Sequence, residues 1–196
     1  MERKFKIINI KDFLSDSIGE TRYEEIVSQF KSPKNSDIEQ FLKDKNKAPQ
    51  FYKQGQAVTY LVFEDSENPV LLGYFTILIK PLAIKPFTKK LEKRILRLSK
   101  PNEDGKYLLS SFLLAQFGKN YNLKPNERID GDTLLQIAEE KMYEIKTEIG
   151  GVLIFLECED SEEDVLLNFY LRNHYQVFGE RQSAKNKKLY RLLKQI

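Results

Sequence analysis

The chain has 196 residues, 41% apolar and 12% aromatic, which is ordinary globular usage and enough for a sizeable core. Its 32 lysines and arginines against 29 acids give a formal charge of +3, too small by itself to argue for a nucleic acid or membrane partner. One cysteine, Cys158, excludes an internal disulfide framework, and one histidine, His174, leaves no zinc-type ligand cluster, so no metal is expected. The opening Met1-Glu-Arg-Lys-Phe-Lys is charged and no long apolar run follows, so the sequence predicts neither a leader nor a membrane span and fits a cytoplasmic location.

Taken along the chain, residues 4–10 predict a short strand. Residues 37–53 predict one helix, with Ile38, Phe41, Leu42, Lys45 and Ala48 at helical spacing behind a Ser36-Asp37 cap. The β-branched and aromatic runs 57–64 and 70–80, joined by Asp65-Ser-Glu-Asn-Pro69, predict an antiparallel hairpin. Residues 80–100 carry eight bases and one acid, Glu92, a local +7. Within them Leu91, Ile95 and Leu98 share a helical stripe, which reads as a surface helix docked by its apolar edge or as a phosphate-contacting segment. Residues 107–117 predict an apolar strand, followed by a loop from Gly118 to Asp130. A helix then begins near Gly131, with Leu134, Leu135, Ala138, Met142, Ile145 and Ile149 on one face, and stops at Gly150-Gly151. Val152 to Cys158 predicts another strand, completing a βαβ unit whose strands should run parallel with a right-handed crossover. A last helix is predicted over 161–173 behind Ser161-Glu-Glu-Asp164, with closing strands at 175–179 and 188–193. No repeat and no long linker divides the chain, so 1–196 is read as a single domain of mixed α+β class.

The loop ahead of the 131–149 helix lies where an open α/β sheet places ligands. It carries Lys119, Lys124 and Arg128, and the first-turn N–H groups near Gly131 and Asp132 lack intrahelical partners, so a phosphate would be stabilised there; an ordinary polar loop explains the same residues. Neither Gly-x-Gly-x-x-Gly nor a Walker-type loop is present, and no serine stands in a nucleophile elbow. His174 ends a helix, where a structural cap is the simpler reading, and Cys158 reads as a small core hydrophobe.

Four segments together resemble the GNAT superfamily of acetyl-CoA-dependent N-acetyltransferases, over residues 30–178. They are the runs within 57–76, Leu113-Leu-Ala-Gln-Phe-Gly-Lys-Asn120, Ile129-Asp-Gly-Asp-Thr-Leu-Leu135, and Asn168-Phe-Tyr-Leu-Arg-Asn-His-Tyr-Gln-Val-Phe178. The resemblance implies a mixed, largely antiparallel sheet flanked by helices, with a central splayed parallel strand pair. It implies that the pantetheine arm of acetyl-CoA pairs with backbone at Phe117, Gly118 and Lys119, in the manner of an added strand. The pyrophosphate would lie on the helix start, against Arg128, Ile129, Asp130, Gly131, Asp132 and Thr133. Of the family's Arg/Gln-x-x-Gly-x-Gly/Ala pattern, Asn126-Glu-Arg-Ile-Asp-Gly131 keeps the final glycine, and His174 stands where a glycine is common.

The implied reaction is direct attack of a neutral amine on the thioester, with a backbone N–H stabilising the oxyanion. Tyr170 occupies the position of the family's tyrosine general acid, and Glu157 is the nearest carboxylate by pattern for a base. The amine would belong to a protein, peptide or small molecule. Some GNAT toxins acetylate the amino acid on charged tRNA, and Phe41-Leu42-Lys43 with Leu72-Gly-Tyr-Phe-Thr76 is similar to them, which adds tRNA, through residues 80–100, as a partner. A GNAT-like scaffold that binds a partner without catalysis is the third reading. A monomer or a homodimer is expected in each case.

Overall fold

Asp16 accepts a hydrogen bond from the backbone N–H of Gly19 at 2.7 Å and so opens a helix that the sequence pattern does not announce, α1 (Ser17–Ser28). Only Tyr23 and Val27 of α1 are buried, too few to print an amphipathic stripe. Gly19 is required there, because a Cβ would lie 2.3 Å from the carbonyl oxygen of Phe13. The computed structural model describes residues 3–159, 165–183 and 186–196, so the acidic opening predicted for the last helix, Asp160 to Asp164, lies outside the described residues.

The remaining elements are β1 (Phe5–Asn9), α2 (Ser36–Lys43), α3 (Ala48–Lys53), β2 (Val58–Glu64), β3 (Leu71–Ile79), β4 (Leu82–Ile84), α4 (Lys89–Ile95), β5 (Tyr107–Leu109), β6 (Ser111–Lys119), α5 (Gly131–Ile149), β7 (Leu153–Glu159), α6 (Val165–Arg172), β8 (Gln176–Gln182) and β9 (Lys188–Gln195). Among the described residues the main sheet has seven strands in the order β1-β2-β3-β6-β7-β9-β8, and β4 and β5 form a separate two-stranded sheet. The class is mixed α+β, as the sequence predicts, and β6 with β7 is the parallel pair.

The chain falls into two compact units, one of residues 1–78 and 115–140, the other of 79–114 and 141–196. In the first, β2 pairs antiparallel with β1 and with β3. Their inner faces pack with the helices around Ile10, Phe30, Leu42, Leu61 and Tyr74, all essentially inaccessible to water. Each such side chain contributes about 1.5–3 kcal/mol when fully buried. Tyrosine hydroxyls in this core are satisfied by carbonyls of α2: Tyr23 donates to Leu42 O at 2.5 Å and Tyr74 to Ile38 O at 2.7 Å. In the second unit, Leu91 and Ile95 of α4 pack with Leu82, Ile84, Leu109, Leu153, Phe155 and Leu193.

Three predicted elements are corrected. The single helix over 37–53 is two helices, because Asp44 turns extended (ψ 121°), its carboxylate takes the N–H of Asn46 at 2.8 Å, and Pro49 could donate no hydrogen bond to Lys45 in a continuous helix. The strand 107–117 is β5 and β6, in different sheets, with the change at Ser110: β5 pairs with β4, while β6 joins the main sheet beside β7. Leu98 does not share the buried stripe of Leu91 and Ile95, since α4 ends first and leaves it 52% exposed.

Candidate active site

In the first unit the site is built from the end of β6, the loop after it, and the start of α5. Gly73 lets backbone approach backbone, and Gly118 makes room for a side chain: a Cβ on Gly73 would lie 2.8 Å from Gly118 O, and one on Gly118 would lie 2.5 Å from Ile38 Cγ2. Gly118 thus has a packing reason of its own. The loop is anchored by a residue that sequence reasoning left unremarked, Asn120, which is 2% exposed. Its Oδ1 accepts from the N–H groups of Lys31 and Asn122, both at 3.1 Å, and its Nδ2 donates to Leu71 O at 2.9 Å. Nothing but its position next to a strand end could have flagged it.

Arg128 staples the same loop. Its Nε donates to Leu123 O at 2.8 Å and Nη2 to Tyr121 O at 3.0 Å, while its guanidinium sits 5.1 Å from the Tyr121 ring centroid. The Lys119 ammonium lies 5.7 Å from that centroid. Arg3 reaches in from the amino-terminal segment to Glu127 O at 2.6 Å and Arg128 O at 3.2 Å, and pairs with Glu64 at 2.8 Å. Ile129 is buried, so its side chain belongs to the core. Asp130 is the cap of α5: its carboxylate accepts from the Thr133 N–H at 2.7 Å and from the Thr133 hydroxyl at 2.6 Å. Burial opposes its charge, yet these bonds hold its carboxyl below the usual range, so it stands as a carboxylate. Gly131 and Asp132 open the helix behind it.

In the second unit, β6 and β7 stay in register for three pairs, Ser111↔Leu153 to Leu113↔Phe155. Beyond these, β6 runs on to Lys119 and β7 to Glu159, where β7 keeps pairing with β9. Tyr170 lies on α6, 7% exposed, its ring flanked edge-on by Phe169 at 4.9 Å and Tyr175 at 5.6 Å. Burial, with a smaller effect of Cys158, pushes its hydroxyl above the ordinary tyrosine range. The hydroxyl is therefore protonated at neutral pH. Cys158 is buried, in keeping with a core role.

Glu157 is held in a fork by Arg181, at 2.8 Å to Nε and 2.5 Å to Nη2, with Arg191 Nε at 3.5 Å. The Arg181 hydrogen bonds place its carboxyl below the usual range, which makes it a weak base and a good structural anion. Among the described residues no group of three His, Cys, Asp or Glu could hold a metal ion, and no helix is long and apolar enough to cross a membrane.

His174 resolves its own oddity. It adopts φ +69° after α6, its N–H donating to Leu171 O at 3.0 Å and that of Tyr175 to Tyr170 O at 3.1 Å, the two bonds of a Schellman ending. That conformation favours glycine, which is why the histidine looked out of place. His174→Gly is expected to raise stability by about 1 kcal/mol, read as an upward shift in the urea midpoint.

Among the described residues the strand order, the parallel pair with its short register, and the helix that joins its two strands define a mixed α+β fold of GNAT-like type. The sequence matches no protein-family profile and no curated protein. Among solved structures it is similar to AtaT complexed with acetyl-methionyl-tRNAfMet, at 14% identity and TM-score 0.64 over 95% of this chain and 94% of that one. It is similar to a KacT variant in which one tyrosine is replaced by phenylalanine, at 17% identity and TM-score 0.61 over 96% and 95% of the two chains. A tyrosine-to-phenylalanine variant of the toxin AtaT, bound to the carboxyl terminus of the antitoxin AtaR and acetyl-CoA, matches at 13% identity and TM-score 0.59 over 100% and 94%. At these identities the likeness is one of fold.

Proposed function

We propose that the chain is an acyl-CoA-dependent N-acyltransferase that moves an acetyl group from acetyl-CoA to a primary amine by direct attack. The observation that carries this reading is Tyr170, a buried tyrosine on the helix that follows the second parallel strand, its ring set between Phe169 and Tyr175. Two features of the chain fit acetyl-CoA: β6 continues six residues past its last pair with β7, which leaves strand backbone for the pantetheine amides, and Lys119 and Lys124 put cations on the segment that leads to α5, Lys124 facing Glu127 at 4.0 Å. The Asp130 carboxylate already caps that helix, so phosphate contact would rest on the two lysines and the first-turn backbone of Gly131, Asp132 and Thr133. When bound, acetyl-CoA supplies the activated acyl group as a thioester.

The residues then have distinct parts. Phe117, Gly118 and Lys119 present backbone groups to the cofactor arm, with Gly118 and Asn120 fixing where that backbone lies. Arg128 keeps the loop in shape through Tyr121 O and Leu123 O. Tyr170 would hold at Oη the proton that the thiolate takes up on leaving, and the proton that the amine nitrogen gives up as the amide forms would restore it, so that the transfer is neutral overall. Glu157 keeps its charge within the Arg181 and Arg191 cluster, and the reading gives it no proton to carry.

One observation narrows the amine. In the segment 80–100, Lys85, Lys89, Lys93, Arg97 and Lys100 have no acidic partner among the described residues, and all five are exposed. Arg94 instead holds Gln195 Oε1 and Ile196 O. Unpaired cations on one short stretch fit a phosphate backbone, and the AtaT complex contains an acetylated aminoacyl-tRNA. The favoured acceptor is therefore the α-amino group of an amino acid esterified to tRNA. Incubation with radiolabelled acetyl-CoA and total charged tRNA is expected to place label on RNA that mild base releases as N-acetyl amino acid. Label on proteins or small amines alone would keep the transferase and remove the tRNA; no transfer to any acceptor would remove both.

A further inference from the structure

We infer that Tyr175 is a positioning residue for Tyr170, holding its ring in place across the Schellman turn that ends α6; this rests on the reading of Tyr170 as the proton donor. The helix spans only eight residues, Val165–Arg172, and its last turn is gripped chiefly through Tyr170 itself. The Tyr170 carbonyl accepts from the N–H groups of both Asn173 and Tyr175, at 3.1 Å each. His174, at φ +69°, reverses the chain between them. The reversal brings the Tyr175 ring edge-on to Tyr170, with centroids 5.6 Å apart and planes at 70°, in a favourable arrangement for aromatic quadrupoles. Phe169 meets Tyr170 at 4.9 Å and 69°, so the ring is held by two edges.

Tyr175 is itself anchored. It is 2% exposed, and the Lys194 ammonium of β9 lies 5.5 Å from its ring centroid. Tyr170 is thus fixed through a ring that belongs to the next segment of chain and rests against a strand. Phe169 shares the helix with Tyr170 and moves with it, so the outside reference is Tyr175. A proton donor displaced by about 1 Å can lose about 100-fold in rate, so a ring that sets its place is expected to act on turnover and not on cofactor affinity.

The test is a double-mutant cycle with radiolabelled acetyl-CoA and total charged tRNA, the best small amine replacing the tRNA if that is what the enzyme accepts. Tyr175→Leu is expected to lower kcat about 10- to 100-fold with KM for acetyl-CoA within about 3-fold, because burial is kept and the ring edge is lost. Tyr175→Phe is expected to restore kcat to within about 3-fold, since the ring and not the hydroxyl makes the contact. In a Tyr170→Phe background, Tyr175→Leu should change kcat by less than about 2-fold, because the group it places is gone. Equal losses in both backgrounds, a loss confined to KM, or a Tyr175→Phe variant as slow as the leucine overturns the inference; the phenylalanine arm decides alone if the leucine variant does not fold. A wild-type chain without transferase activity, or a Tyr170→Phe variant at full rate, instead overturns the parent reading and this one with it.

Discussion

Tyr170→Phe is expected to lower kcat for acetyl transfer by about 10²- to 10⁴-fold, the usual worth of a positioned general acid, with KM for acetyl-CoA and thermal stability little changed. The ring contacts to Phe169 and Tyr175 survive the substitution, so the loss reports the hydroxyl proton alone. The pH profile adds a second check. Burial raises the Tyr170 pKa, and a raised acid stays protonated through higher pH, so no alkaline fall in kcat should appear near pH ~10, where an ordinary tyrosine titrates. The rate should rise with pH only as the acceptor amine loses its proton. An alkaline limb at neutral pH, or a phenylalanine variant that keeps full turnover, contradicts the assignment.

Asn120→Ala is expected to cost about 3 kcal/mol of stability and to loosen the loop from Tyr121 to Arg128. Its side chain makes three hydrogen bonds in a nearly water-free site, and the truncation leaves Leu71 O and the Lys31 N–H without that partner. Because Asn120 also donates its backbone N–H to Leu72 O at 2.8 Å, the end of β6 should hold while the loop beyond it opens. Denaturant titration checks the first effect. Faster cleavage of the loop by protease in the native state checks the second, and an unchanged urea midpoint would contradict the account.

Much of the fold is legible in the residues because the second half is written in strong periods. Leu134, Leu135, Ala138 and Met142 mark the buried face of α5, Gly150 ends the helix at φ +78°, and Leu153 opens β7, so the βαβ unit could be read directly. The first half hides more. A helix with two buried side chains leaves α1 without a pattern, and Asp44 with Pro49 splits a run whose apolar spacing looks continuous. Apolar residues at 107–117 conceal a change of sheet at Ser110, since hydrophobicity alone does not say which sheet a strand joins.

The candidate site was legible through the resemblance more than through its chemistry. Tyr170 sits among Leu166, Leu167 and Phe169 with nothing local to separate a proton donor from a core aromatic. Glu157 shows what pattern leaves out: its partners, Arg181 and Arg191, lie on strands distant in sequence, and only folding brings them to it. That pairing also gives a sign to acid behaviour. A carboxylate held below its usual pKa adds stability that is present at neutral pH and is lost as pH falls through the depressed value. Glu39, lowered to about 2 by hydrogen bonds from Lys43 and the Ser32 N–H, contributes the same way between pH ~4.3 and its own pKa.

Hydrogen exchange along β6, with and without acetyl-CoA, tests the central claim most directly. The account predicts that alternate amides within residues 114–119 slow by at least about tenfold when acetyl-CoA is added, while Ser111 to Leu113, already in register with β7, are unaffected. Exchange over 114–119 that does not respond to saturating acetyl-CoA would contradict it.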